Sequence, residues 1–282
     1  MSVIDLPLRI RRILVALDAS AASLAALEAA ATLAARMDAE LLGLFVEDVN
    51  LLRLAGLPFA SEIDMATGSA RSLEPREMEQ RLRAQAARAQ DLLAQVATRR
   101  QLRWTFRVAR GQVVTELLSA EIEADLIAIG TVSTQVIRRA RVGSTAQAVM
   151  NRTARPLLIL PPGAAVRTPI SVVFDESPDS ARAFTLAAEL AAAEDGELVV
   201  FLLADDAETE QRLRETAASR LAPLHVKARY RWLVEVDTAT LAGAVRDERS
   251  RTLALAAHSA ALDAQTIDAL LERIECAVLL VR

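Results

Sequence analysis

A single lysine, Lys227, stands among 33 basic residues, so nearly all positive charge in this chain is guanidinium. A P-loop places a lysine directly after its last glycine to reach the β- and γ-phosphates. No glycine here is followed by lysine, which excludes P-loop NTPases. Receiver-type phosphorylation sites, which pair an aspartate cluster with a lysine, are disfavoured on the same ground. The one cysteine, Cys276, builds neither an intrachain disulfide nor a thiolate metal cluster, which fits a reducing compartment. Two histidines, His225 and His258, are far apart in the sequence, and no His/Cys/carboxylate group has metal-ligand spacing. No Ser–His–Asp elbow is evident. No G-x-G-x-x-G follows the first strand-like segment, which disfavours a dinucleotide oxidoreductase. No apolar run approaches the roughly 18 residues of a membrane span. The first residues are acidic at Asp5 and run into a strand-like segment, so no secretory leader is expected and a cytoplasmic location is. A net charge of -4 and a pI near 5.5 argue against a dedicated nucleic-acid binder.

What remains is a long, strongly apolar chain. Its 282 residues, 52% of them apolar, suffice for two domains of ordinary size. Short apolar runs alternate with alanine-rich helical stretches. In the first half the pattern predicts strands at 13–17, 41–46, 102–108, 126–129 and 157–160, with helices at 20–36, 75–100, 113–123 and 144–152. The second half predicts strands at 170–174, 198–203, 224–232, 252–256 and 277–281, with helices at 180–193, 207–221, 238–248 and 264–274. Continuous apolar strands separated by helices point to parallel sheets buried on both faces. The third strand of each half alternates instead. Leu102, Trp104, Phe106 and Val108 are interleaved with Arg103, Thr105 and Arg107, and Val226, Ala228, Tyr230 and Trp232 with Lys227, Arg229 and Arg231. Cations on one face of a half-exposed strand mark a sheet edge. The expected division is therefore a first domain over 1–162, a proline- and glycine-containing linker over 163–169, and a second domain over 170–282. The halves differ by an insertion at 47–74. Its Leu51, Leu52, Leu54, Leu57, Phe59 and Ile63 suit a lid, a contact surface or a loop packed on its own domain.

The segment 125–161 is the most informative. An apolar run stops at Gly130, a loop with three arginines and no acid follows, and Gly143-Ser144-Thr145 opens a helix. A helix N-terminus presents outward N–H groups and partial positive charge, so this arrangement suits an anion, most often a phosphate.

These residues resemble the universal stress protein family. The first strand ends in Val15-Ala16-Leu17-Asp18, with Ser20 and Ser23 opening the next helix, as in the start of such a domain. The nucleotide-binding form of the family carries G-x2-G-x9-G-[ST]; here the spacing reads Gly130-x2-Ser133-x9-Gly143-Ser144, with serine in place of the second glycine. The resemblance implies two tandem open parallel five-stranded sheets, each in the order 3-2-1-4-5 with helices on both faces, forming an intrachain pseudo-dimer through the fifth strands at 157–160 and 277–281. Ligands of such sheets sit beyond the carboxyl ends of the strands, where strand order reverses.

The resemblance also implies ATP, accompanied by Mg2+, at Asp18, Val46, Gly130, Ser133, Gly143, Ser144 and Thr145. Asp18 would accept hydrogen bonds from ribose or adenine, or else support the cap of the next helix. The backbone of Val46 would meet adenine. Gly130 would let the chain turn and the phosphates approach. Arg138, Arg139 and Arg141 offer phosphate contacts, or are solvated loop charges. The second half keeps Asp175 but has no glycine after its fourth strand at His258, and Asp263 and Asp268 would repel phosphate. It is expected to be structural. Three readings follow: an ATP-binding, nucleotide-sensing regulator; a nucleotide-independent interaction module; and, behind both, a slow ATPase. A homo-oligomer through the fifth strands or the insertion, and an unidentified protein partner, complete the expectations, with no nucleic-acid or membrane partner.

Overall fold

A computed structural model describes residues 10–18, 20–57, 59, 61–63, 70–72, 74–133, 140–141, 143–194, 196–224, 226–234, 237–258, 262 and 264–282. The first half runs β1 (Arg12–Leu17), α1 (Ala21–Met37), β2 (Glu40–Asp48), α2 (Val49–Ala55), a hairpin of β3 (Ser61–Ile63) and β4 (Ala70–Ser72), α3 (Pro75–Arg99), β5 (Trp104–Gly111), α4 (Val113–Ala120) and β6 (Leu126–Gly130). A two-residue ribbon of β7 (Val132–Ser133) and β8 (Ala140–Arg141), helix α5 (Ser144–Arg152) and β9 (Leu157–Leu160) complete it. The second half runs β10 (Ile170–Phe174), α6 (Pro178–Ala192), β11 (Glu197–Leu203), α7 (Ala207–Leu221), β12 (Lys227–Leu233), α8 (Thr238–Asp247), β13 (Thr252–Ala256), α9 (Ala264–Leu271) and β14 (Ala277–Val281).

Helix starts follow from short polar side chains at the caps. Ser20 and Ser177 accept from the N–H groups of Ser23 and Ser180 at 3.1 and 3.2 Å. Asp206 and Asp237 accept from Thr209 and Thr240 at 2.8 and 2.6 Å. Those backbone N–H bonds hold both aspartate carboxyls below the usual carboxylate range.

The two five-stranded units join through their fifth strands into one ten-stranded sheet, β12-β11-β10-β13-β14-β9-β6-β1-β2-β5. Each half keeps the order 3-2-1-4-5, every pairing within a half is parallel, and the two fifth strands join antiparallel. In that seam Val278, Leu279 and Leu280 lie opposite Ile159, Leu158 and Leu157. Both edges of β9 and of β14 are thereby occupied, so a second copy of the chain cannot add to a fifth strand, and that route to a homo-oligomer is closed. The outer edges are β5 and β12, the strands whose cation-bearing alternation marked them as edges.

One position on the core-facing side of each edge strand is left uncovered. Val108 and Trp232 stand at matching positions and are exposed; Trp232 keeps its indole N–H on the Ala204 carbonyl at 2.7 Å. The strands also start later than predicted, and Leu224 falls in a 3-10 turn before β12.

Helices cover both faces continuously across the seam. On one side α1, α3, α6 and α7 pack on the sheet around Leu27, Leu93, Phe184 and Leu213. On the other, α4, α5, α8 and α9 pack around Leu117, Val149, Leu241 and Ile267. Polar links cross between the halves, among them Arg282 donating to the Met150 carbonyl. Arg36 at the end of α1 pairs with Glu194, which also accepts from the N–H of Thr168 at 3.0 Å. Gln147 of α5 donates to Asp268 of α9 at 2.9 Å.

The seam carries a prediction. Leu279 is 1% exposed between two strands and against α6, so Leu279→Ala leaves a cavity and should cost about 2–5 kcal/mol. Urea unfolding of the variant checks it; a loss under about 1 kcal/mol would mean that the seam contributes little.

Candidate functional site

The candidate site is built at the carboxyl ends of β1 and β6, the point where strand order reverses in the first half. The two strands pair through Ile13–Leu126 and Val15–Ala128, so they end side by side at Leu17 and Gly130. Past β1, Asp18 is exposed, and its Oδ1 accepts from the N–H of Ser20 at 2.9 Å. This tight turn sets Ser20 to cap α1. Past β6, the ribbon of β7 and β8 spans the distance to Gly143, the residue that precedes α5.

Gly143 has an extended backbone, no side-chain cap closes α5, and no acid lies in its first turn. The N-terminal N–H groups of this nine-residue helix, with the hydroxyls of Ser144 and Thr145, therefore line the cavity uncapped by any side chain. That cavity has a volume of about 280 Å3. Asp18, Ser20 and Gly130 form one side of it and Gly143, Ser144 and Thr145 another, while Leu44, Val46, Val113, Leu117 and Ile129 make an apolar wall. Beside that wall the buried Glu47 carboxylate accepts from Arg110 Nε at 2.7 Å, tying β2 to β5.

Of the residues singled out from the sequence, Asp18, Val46, Gly130, Gly143, Ser144 and Thr145 line this one cavity. Ser133 and Arg141 lie in the ribbon of β7 and β8, paired with Ala140 and Val132 respectively. Arg138 and Arg139 lie outside the described residues. Ser20 and Ser23, marked in the sequence as the opening of the next helix, also line the cavity, and α4 supplies Val113 and Leu117, which were not singled out. The apolar spacing of 113–120 marks a helix with one buried face, but which cavity that face lines depends on the crossover after β5.

Gly130 has a different physical reason from the one expected. Its backbone is not in the left-handed region, so no unusual turn demands a glycine. A Cβ at this position would lie 2.2 Å from the carbonyl oxygen of Ala22. The glycine lets the first turn of α1 sit directly against the end of β6, which sets the width of the site.

The matching region of the second half keeps the turn but not the glycine at the end of the fourth strand. Asp175 Oδ1 accepts from Ser177 N at 2.9 Å, as Asp18 does from Ser20. After β13, however, stand Ala257 and His258, and the His258 ring is 3.4 Å from Arg282 Nη1. Asp268, expected to repel phosphate, is instead committed to Gln147 across the seam. Asp263 and His225 lie outside the described residues. Among the described residues no three His, Cys, Asp or Glu side chains converge to hold a metal ion. No helix among them is long and apolar enough to cross a membrane.

With this geometry in place, the class of protein is set by comparison. The model of the universal stress protein family matches residues 9–161, more than half of the chain. The chain belongs to the universal stress protein family. Its fold is similar to that of a universal stress protein from Archaeoglobus fulgidus, with a TM-score of 0.75 at 15% identity over 95% of this chain and 97% of that one. It is also similar to a putative universal stress protein from Pseudomonas aeruginosa, with a TM-score of 0.63 at 14% identity over 97% and 93%. A functionally unknown protein of the same organism gives 0.63 at 15% identity over 97% and 92%. No curated protein matches the chain.

The contact behind Gly130 generates a prediction. Gly130→Ala forces α1 away from β6 and should cost about 1–3 kcal/mol. Thermal or urea unfolding measures it, and an unchanged midpoint would show that the close approach to Ala22 is not required.

Proposed function

We propose that the first half binds ATP at the cavity between β1, β6 and α5, and that the second half is its structural partner, in a regulator that senses nucleotide. The observation that supports this most is the convergence of Asp18, Gly130 and the uncapped start of α5 on one cavity with an apolar wall. The wall of Leu44, Val46, Val113 and Leu117 suits a base. Asp18 suits a ribose or an adenine amine as hydrogen-bond acceptor. The N–H groups and hydroxyls at Gly143–Thr145 suit phosphate oxygens. A volume near 280 Å3 lies just under the usual range for small-molecule sites, about 300–1,000 Å3. It suits a nucleoside, with the phosphates extending over the start of α5 toward the β7–β8 ribbon. Mg2+ would enter with the nucleotide, held chiefly by phosphate oxygens, since Asp18 is the one carboxylate among the lining residues.

The same features argue against turnover. Asp18 already accepts from a backbone N–H, and the described lining holds no histidine or second carboxylate to act as general base. On this reading the chain comprises two repeats over 1–162 and 170–282, of which one has kept a ligand site. ATP would act by favouring one conformation or assembly, by no more than its difference in affinity for the two states.

A second reading rests on a separate observation. Leu51, Leu54, Leu57 and Phe59 on and after α2 are exposed, Phe59 to 81%. Such a patch suits a protein partner independent of nucleotide.

Calorimetric titration with ATP and Mg2+ near physiological ionic strength, where weak surface pairing is screened over about 8 Å, separates the two. The expected result is one ATP per chain, abolished by Gly143→Glu in a protein that stays folded. Normal ATP binding by that variant would refute the proposed phosphate site; no binding by the unaltered chain would favour the interaction module.

A further inference from the structure

The largest cavity described lies away from the nucleotide site, and its chemistry is cationic. It has a volume of about 890 Å3 and is lined by the 161–165 turn, by Arg246, Arg249 and Arg251 ahead of β13, and by Arg273 ahead of β14, with Arg167 beside the turn. Five arginines face one acid, Glu275, among the lining residues. All five arginines are exposed, and none forms an ion pair with a described acid, although Asp237 acts on Arg273 through space. In a chain of net charge -4 this concentration of unpaired positive charge is a local feature.

The internal repeat supplies a reference for it. Ile13 of β1 lies opposite Leu126, and Ile170 of β10 lies opposite Thr252, so Leu126 and Thr252 hold the same place in the two halves. One residue earlier, Asp125 corresponds to Arg251, and their N–H groups bond equivalent carbonyls, those of Arg12 and Pro169, each at 2.9 Å. Arg249, two residues earlier, has a left-handed backbone with φ 51°, whereas Glu123 closes a 3-10 turn; Arg231, the counterpart of Glu123's partner Arg107, pairs with Asp247 and Glu248 instead. In the first half both acids are in use. Asp125 accepts from the N–H groups of Arg11 and Arg12 at 2.8 and 3.0 Å, and Glu123 accepts from Arg107 at 2.8 Å. In the second half Arg251 reverses the charge of Asp125, and neither Arg249 nor Arg251 forms an ion pair with a described acid.

The seam explains the placement. Because β9 and β14 are antiparallel, the chain leaving β9 at Pro161 runs beside the chain entering β14 at Cys276. The cleft thus opens on the same rim of the sheet as the first-half cavity, about three strand spacings, roughly 15 Å, along it.

We propose that this cleft is a second, separate binding site, for a small polyphosphate anion carrying at least three negative charges. Guanidinium groups present planar forks of donors that match phosphate oxygens bidentately, and several converging on one cleft reward a ligand with several charged groups. Pro161, Pro162, Val245 and Ile274 also line the cleft, and the polyphosphate assignment rests on the five guanidinium groups around them.

The test uses inorganic tripolyphosphate and the full chain carrying Gly143→Glu, so that the first-half site does not contribute. Titration at about 50 mM salt should give saturable binding that weakens steeply as salt rises. Arg249→Glu with Arg251→Asp, which reverses two of the five charges, should weaken binding about tenfold or more while circular dichroism and melting stay unchanged. Arg246→Glu with Arg273→Glu, from the other walls, should do the same. Absence of binding at low salt would overturn the proposal, as would an affinity unchanged in both double variants. Tighter binding of a short single-stranded DNA than of tripolyphosphate, lost in the same variants, would also overturn it and reassign the cleft to nucleic acid.

Discussion

The antiparallel pairing of β9 with β14 is the constraint on which the rest of the molecule depends. An apolar strand with an open edge invites pairing with other chains. Here each fifth strand closes the other's edge, and Leu157–Leu160 and Ala277–Val281 are buried throughout. The helical layers then run unbroken over both halves, and the only outer edges fall on strands studded with arginine and lysine. Arg36–Glu194 on one face and Gln147–Asp268 on the other fasten the halves away from the seam.

That arrangement holds the second half by its seam and core, although no glycine ends its fourth strand. The two halves share the backbone turn after the first strand, down to the aspartate that bonds the N–H two residues on. What differs lies at the strand ends: Gly130 against Ala256 and Ala257 at one rim, and Asp125 against Arg251 at the other. The core was held and the rims diverged.

Most of the fold was legible in the chain. Continuous apolar runs marked the buried parallel strands, and the alternating third strands marked the two edges, because burial writes itself directly into hydrophobic period. The joining of the sheets into one was not legible from pattern alone: an apolar fifth strand reads the same whether it pairs within the chain or between chains. The exposure of Val108 and Trp232 escaped for a related reason, since period marks which face a side chain shares and not how far the helices over that face extend. The short α2 and the two small hairpins have too few residues to set up a period. Within the site, the glycine and hydroxyl positions were legible as spacing. The reason for Gly130 was not, because contact with Ala22 depends on how α1 lies across the sheet. The arginine cleft was invisible for the same cause: its members come from three segments that meet only once the seam forms.

The most direct measurement of the central claim, a nucleotide site in one half only, is amide NMR of the isotope-labelled chain titrated with ATP and Mg2+. The account predicts that the largest shifts fall on Val46, Gly130, Gly143, Ser144 and Thr145, with Ala257 and His258 unmoved. Shifts centred on Ala257 and His258, or an unperturbed start of α5 at saturating ATP, would contradict it.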